Sequence, residues 1–437
     1  MVWPLRPDPP LMYLPLPSFH GRRQVARRLR SSVVALGAAL LIAAAIVVAA
    51  HPPQSHAARG SAHAAKHKKK HRRRVNHNGH YLSLARQGIY NSYRNWWNPG
   101  KQWFNDRMND TDQYPLGTIW TLFPLWEALS GVAIAQPTSA HRNEVAWFAN
   151  TAETYFNSLM QGYGPYPGSH TRDEIWFDDN AWWGLGFVDA YRATRDRRYL
   201  DDAARGIQFL NSYGWDRKHH RMRWSTAVQN QGSNLETLGG ATALAGELYE
   251  YTGNKTYRNI ARKYIRWADK KGTRRHRGKS LYESRDEPAL SYVEGTFIAG
   301  HLALCRKGDH RACRRAWSLG AKAYKHWRHR DPFYNPPADS ILFRYVLQLA
   351  GDKRALRLSR EVHPYTTPRQ LYEWARRAAE DALNNARVHG LFIKFWDGTA
   401  ASKHHDGYRS YRYGQLMTHA APVALLAWLG VVHRPKH

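Results

Sequence analysis

From His80 onward, apolar residues recur at three- and four-residue spacing, and no stretch alternates over the length of a strand. The spacing predicts twelve helices, near residues 81–97, 115–135, 139–161, 179–195, 197–213, 234–252, 254–272, 292–306, 310–328, 338–350, 368–388 and 413–430. They are of two kinds. Segments such as Ala241 to Leu248 and Gly295 to Leu304 are rich in Ala, Gly and Leu and nearly uncharged, a composition that demands burial on all sides. Their partners, 255–271, 311–328 and 369–385, are charged with one apolar stripe and suit an outer layer.

A repeated joint links the two kinds. Asp196, Asn254, Asp309 and Asp352 each stand where one helix stops and the next begins, separated by 58, 55 and 43 residues. Gly253, Gly308 and Gly351 suit a left-handed C-terminal turn, and the Asp or Asn that follows offers its side-chain oxygen to cap the next helix. The repeat unit is therefore a helical hairpin plus one longer loop. Six such units close into an all-α toroid of apolar inner and amphipathic outer helices, with short joints on one face and long loops, where a site would be built, on the other.

The N-terminal portion follows other rules. Val33 to Ala50 is an unbroken apolar run of 18 residues, preceded by Arg22, Arg23, Arg27, Arg28 and Arg30, so residues 1–32 read as a basic cytoplasmic leader and 33–50 as a membrane segment. The segment reads equally as an uncleaved anchor and as a signal peptide cleaved near Ser55 to Ala57, and either way the remainder is extracytoplasmic. Residues 51–80, with Pro52, Pro53 and the basic run 66–74, read as a disordered linker, which leaves 81–437 for the catalytic domain. Charge follows the same division: residues 1–80 carry +13 of the +31 net charge. No aromatic interleaves with the 66–74 run, so anionic envelope polymers are its expected partner rather than nucleic acid.

The long loops hold the candidate chemistry. Glu174, Trp176 and Phe177 lead to Asp178, Asp179, Asn180, Trp182 and Trp183, which sets two adjacent carboxylates at the start of an inner helix among bulky indoles. Glycosyl transfer to water needs one carboxylate as nucleophile or base and another that keeps its proton, and neighbouring acids in unequal surroundings supply that asymmetry. The expected geometry is one water-accessible furrow shared by both carboxylates. The 18 Trp residues fit the same chemistry, since flat aromatic faces pack on the C–H faces of sugars. Trp120, Trp176, Trp182 and Trp183 are the candidates nearest the loop face. Two further loop-to-helix junctions, Asn230 to Asn234 with Glu236, and Tyr292 with Glu294, offer amides, a hydroxyl and carboxylates for sugar hydroxyls.

Other chemistries find no support. Gly272 to Ser280 imitates a phosphate loop but has five intervening residues where four are needed, and the sequence contains no His-Glu-x-x-His, paired-cysteine or Gly-x-Ser-x-Gly motif. Cys305 and Cys313 flank one joint and are read either as a bridge or as free thiols.

Phe177 to Trp182, Asp189 to Tyr191, Asp196 to Leu200, Asn230 to Asn234, Leu248 to Gly253 and Tyr292 to Gly300, with Phe343 to Tyr345, resemble glycoside hydrolase family 76, the bacterial and fungal endo-α-1,6-mannanases. The resemblance covers most of residues 81–430. It implies an (α/α)6 barrel and retaining hydrolysis of α-1,6-mannosidic bonds in mannan or mannose-bearing envelope glycans. It assigns Asp178 as nucleophile and Asp179 as general acid/base, and implies no metal or organic cofactor. Where the family has Tyr-Asn-Gln-Gly, this chain has Tyr292-Val293-Glu294-Gly295, a carboxylate in place of an amide. A toroid that binds carbohydrate or scaffolds the envelope without turnover is the alternative that this departure suggests.

Overall fold

The computed structural model describes residues 77–108, 116–165, 174–228, 232, 234–272, 281–283, 289–329, 336–362, 365–398 and 414–436. The leader 1–32, the apolar run 33–50 and residues 51–76 of the expected linker lie outside these residues, and the last four residues expected in the linker, 77–80, are instead the first turn of a helix. No helix among the described residues is long and apolar enough to cross a membrane.

Among the described residues, thirteen α-helices build the domain. The inner ones are α2 (Ile119–Ala135), α4 (Phe177–Thr194), α6 (Leu235–Thr252), α8 (Ser291–Arg306), α10 (Pro336–Gly351) and α13 (Leu416–Val431). Each packs on the next in chain order, and α13 returns to pack on α2, so the circuit closes. Outside them lie α1 (His77–Trp96), α3 (Ser139–Glu153), α5 (Arg198–Phe209), α7 (Lys255–Lys271), α9 (His310–Trp327) and α12 (Pro368–Asp381). This is the (α/α)6 toroid expected. Inner helices approach closely because glycines face one another: a Cβ added at Gly246 would meet the Gly300 carbonyl oxygen at 3.0 Å, and one at Gly295 the Leu342 Cα at 2.8 Å.

The joints behave largely as the sequence predicts. Asp196 accepts from Arg198 N–H, Asn254 from Thr256, Asp309 from Ala312 and Asp352 from Ala355, all between 2.9 and 3.0 Å. Gly253 and Gly308 take the left-handed conformation, but at the first joint Arg195 takes it instead and Gly351 remains helical. Cys305 and Cys313 are bridged across the third joint.

Two expectations are corrected. A thirteenth helix, α11 (Lys353–Val362), follows the Asp352 joint in a short segment before Pro368, where α12 starts. Among the described residues, four two-residue antiparallel ribbons also occur where helices or loops were expected. They are β1 (Trp97–Asn98) with β2 (Trp103–Phe104), β3 (Phe156–Asn157) with β4 (Gly162–Tyr163), β5 (Trp215–Asp216) with β6 (Arg221–Met222), and β7 (Arg387–Val388) with β8 (Leu391–Phe392). Each follows an outer helix and turns through a left-handed residue, respectively Gln102, Gln161, His220 and His389 with Gly390, the bulged turn that short hairpins favour. Their runs are too short to show alternation, so only the turns mark them.

Candidate active site

All six inner helices start at the end of the toroid that carries the long loops, so six helix N-termini, with their partial positive charge, converge there. Asp178 and Asp179 occupy the first turn of α4. The approach to that helix is pinned by an extended pairing with residues 224–226: Phe177 N–H donates to the Trp224 carbonyl at 2.8 Å, Thr226 N–H to Ile175 at 3.0 Å, and Ile175 N–H to the Thr226 hydroxyl at 3.1 Å. The Ser225 hydroxyl donates to Glu174, and Trp176 stands edge-on to Trp224 with 4.8 Å between centres.

Helical spacing then sorts the side chains. Asp178 precedes Trp182 by four residues and shares its face of the helix. Trp182 turns toward α2, where it meets Phe123 at 5.1 Å and Trp120 at 5.7 Å. Trp120 in turn meets Tyr292 of α8 at 5.6 Å. Since α2 and α8 stand opposite each other in the toroid, these two side chains span its bore. The Tyr292 hydroxyl donates to Glu236, in the first turn of α6. Trp182, Trp120, Tyr292 and Glu236 thus form one group across four inner helices, at the helix start that carries Asp178 and Asp179, with Trp120 and Glu236 half-buried.

Asp178 is 1% and Asp179 3% exposed. The expectation of a water-accessible furrow is therefore corrected: both carboxylates are nearly closed off from solvent.

Four other sequence candidates prove to have structural roles. Asn180 accepts from Tyr163 N–H at 2.8 Å and donates to the carbonyls of Tyr163 and Trp176, both at 3.1 Å, so its amide clamps β4 to the start of α4, with both donors spent and the side chain fully buried. Trp183 is fully buried against Tyr155, 4.7 Å between centres, and donates its indole N–H to Gly164. Asn234 is the cap of α6, accepting from Thr237 N–H at 2.7 Å. Glu294 is fully buried on a different face of α8 from Tyr292; it accepts from the Tyr282 N–H, and burial pushes its carboxyl up to about 8. It belongs to a group in which the Tyr282 hydroxyl donates to Asp269 at 2.9 Å and lies 3.2 Å from His301 Nε2. Trp176 sits at the rim, and Asn230 lies outside the described residues.

Sequence reasoning passed over other polar groups at this end. Asp106 accepts from the Thr121 hydroxyl at 2.6 Å and from Gln415 at 3.3 Å, and Asp339 accepts from Ser291. All are buried; Thr121, Ser291, Asp339 and Gln415 stand at inner-helix starts, and that shared position was the available signal, whereas Asp106 lies in the connection after β2.

Residues 148–318, which contain the aspartate pair, match the family model for glycosyl hydrolase family 76. Among curated proteins no significant match was found. The fold is similar to that of a family 76 mannosidase from Bacteroides thetaiotaomicron VPI-5482, with a TM-score of 0.63 and 15% identity over 80% of this chain and 98% of that one. It is also similar to the family 76 α-1,6-mannanase of a Salegentibacter species, with a TM-score of 0.61 and 16% identity over 81% of this chain and 100% of that one. An inactive variant of the latter, with two consecutive aspartates replaced by alanine, is known in complex with α-1,6-mannotetrose; it matches with a TM-score of 0.60 and 16% identity over 81% of this chain and 99% of that one.

Proposed function

The chain belongs to glycosyl hydrolase family 76, and from that premise we propose that it cleaves α-1,6-mannosidic bonds of mannan or mannose-bearing envelope glycans with retention, outside the cytoplasm. The observation that carries the reading is the consecutive pair Asp178 and Asp179 in the first turn of an inner helix, at the loop end of the toroid and beside the aromatic group. The mannanase neighbours, and the double aspartate replacement that inactivates one of them, support it.

In this reading the sugar enters as the Trp120 and Tyr292 side chains part, and its C–H face packs on an indole. Asp178 attacks the anomeric carbon while Asp179 gives its proton to the departing glycosidic oxygen. Water then enters, Asp179 takes one of its protons, and the bond from Asp178 to the sugar breaks. Withdrawal from bulk water strengthens each charge–dipole contact of this exchange. The bridged Cys305–Cys313 pair supports an oxidising, extracytoplasmic location, in keeping with the apolar run 33–50. The basic run 66–74 is the proposed contact to anionic envelope polymers. Burial of Glu294 on a different face of α8 from Tyr292 favours turnover over a toroid that only binds carbohydrate or scaffolds the envelope.

The test is incubation with α-1,6-mannan oligosaccharides, with the anomer of the first-formed product followed by NMR. The expected outcome is retained configuration in the wild type and loss of cleavage in Asp178→Asn. Equal cleavage by the two proteins would sink the assignment.

A further inference from the structure

The face opposite the aspartates is built from the short joints. Asp196, Asp309 and Asp352 lie there, but each carboxylate caps its helix and is engaged by an arginine, respectively Arg198, Arg262 and Arg306 at 2.7, 2.7 and 2.8 Å. What remains on the surface is cationic. Arg195, Arg197, Lys255, Lys307, Arg311 and Lys353 are exposed, and among the described residues none of them forms an ion pair. Asp201 adds one exposed carboxylate a turn further along α5.

Two observations narrow the partner. Tyr365, 90% exposed, lies between α11 and the start of α12, on the joint side, because Glu373 early in α12 pairs at 2.6 Å with Arg434 beyond the end of α13. An exposed aromatic among cations is the composition of a membrane–water interface. The described chain also begins at this face, since Asn78 donates to the carbonyls of Gly430 and Val432 at 3.2 and 3.4 Å, and the residues before it in sequence include the cationic run 66–74 and the apolar run 33–50.

We propose that the joint face docks on an anionic phospholipid surface, with Tyr365 among the headgroups and the loop end turned away from the bilayer. Helix α4 spans about 25 Å between the aspartates and Arg195, so a docked toroid would offer its site to glycans standing well above the lipid.

Because both native cysteines are bridged, a thiol introduced by Tyr365→Cys in the full chain takes a single environment-sensitive fluorophore. The same label at Val228→Cys, in the loop before α6, is the comparison. On vesicles of phosphatidylglycerol and phosphatidylcholine, the label at position 365 should brighten and be quenched by headgroup-labelled lipid, and the label at 228 should do neither. The triple change Arg195→Glu, Lys307→Glu, Lys353→Glu should raise the lipid needed for half-maximal signal by about tenfold or more, since each cation near an anionic surface contributes to binding. Hydrolysis of soluble oligosaccharides should stay unchanged; a Gln triple replaces it should charge reversal disturb folding. Equal signal on pure phosphatidylcholine, equal quenching at both positions, or an undiminished response in the triple variants would overturn the proposal. So would a response to soluble polyphosphate with none to vesicles.

Discussion

Asp189 of α4 and Arg344 of α10 lie 2.6 Å apart inside the toroid, and neither side chain is more than 1% exposed. Arg344 also binds Glu127 of α2, and its guanidinium stacks 4.5 Å from the Trp428 ring centre of α13. One side chain therefore ties four inner helices across the bore. Burial pushes Glu127 and nearby Glu247 up to about 7, against the pull of Arg344 on both.

Removing one member of such a group strands the others. Arg344→Met should lower the free energy of unfolding by about 3–5 kcal/mol, because buried carboxylates would lose their counter-charge. Urea or guanidinium titration at neutral pH measures this, and an unchanged midpoint would show that the ion group is dispensable.

Glu294 makes a pH prediction. Its carboxyl rises from an ordinary 4.5 to about 8 on folding, chiefly through burial. Between those values the unfolded chain binds fewer protons than the folded one, so this group's contribution to stability is fully present below about 4.5 and is lost as pH rises through about 8. Glu294→Gln should abolish that dependence. The stability of the variant relative to wild type should climb by a few kcal/mol between pH 5 and 8 and then level off. A difference that stays flat across this range would contradict the protonated state.

Asp179, as proton donor, should matter in proportion to the basicity of the leaving group. Asp179→Asn should cut turnover of mannan oligosaccharides by about 10²–10⁴-fold, while mannosides with strongly activated aryl leaving groups should react at nearly the wild-type rate in the glycosylation step. Failure of that rescue would argue for a role other than acid catalysis.

For Asn180 the expected signature is structural. Asn180→Ala leaves the Tyr163 amide and two carbonyls short of a partner, at a cost of about 1–3 kcal/mol for a buried donor. The melting temperature should fall while KM for oligosaccharides changes little; a large rise in KM with stability intact would restore it to the binding surface.

What could be read beforehand depended on whether the signal was local. Helix identity and the paired layers follow from spacing and composition, and the joints from one Asp or Asn each, so the toroid was legible from Asp196, Asn254, Asp309 and Asp352 together. The carboxylate pair was legible because adjacency in sequence guarantees adjacency on a helix. Direction was harder. Asn180, Trp183 and Glu294 lie within a residue or two of Asp179, Trp182 and Tyr292, yet a helix turns about 100° per residue, enough to send each from the bore into the wall. The partner that claimed each was remote: Tyr163 for Asn180, Gly164 for Trp183 and Tyr282 for Glu294. The Arg344 group, in which Glu127 and Arg344 alone stand 217 positions apart, left no local trace.

The clasp of Asn78 on Gly430 and Val432 joins positions 352 and 354 residues apart. A circle of this kind has no finished state until its last helix is available. While the chain is being made, α1 and α2 must wait with an apolar flank uncovered for α13, the last of the toroid's helices in chain order. Loss of α13 would then do more than shorten the toroid, since it would prevent closure and expose surfaces that invite aggregation.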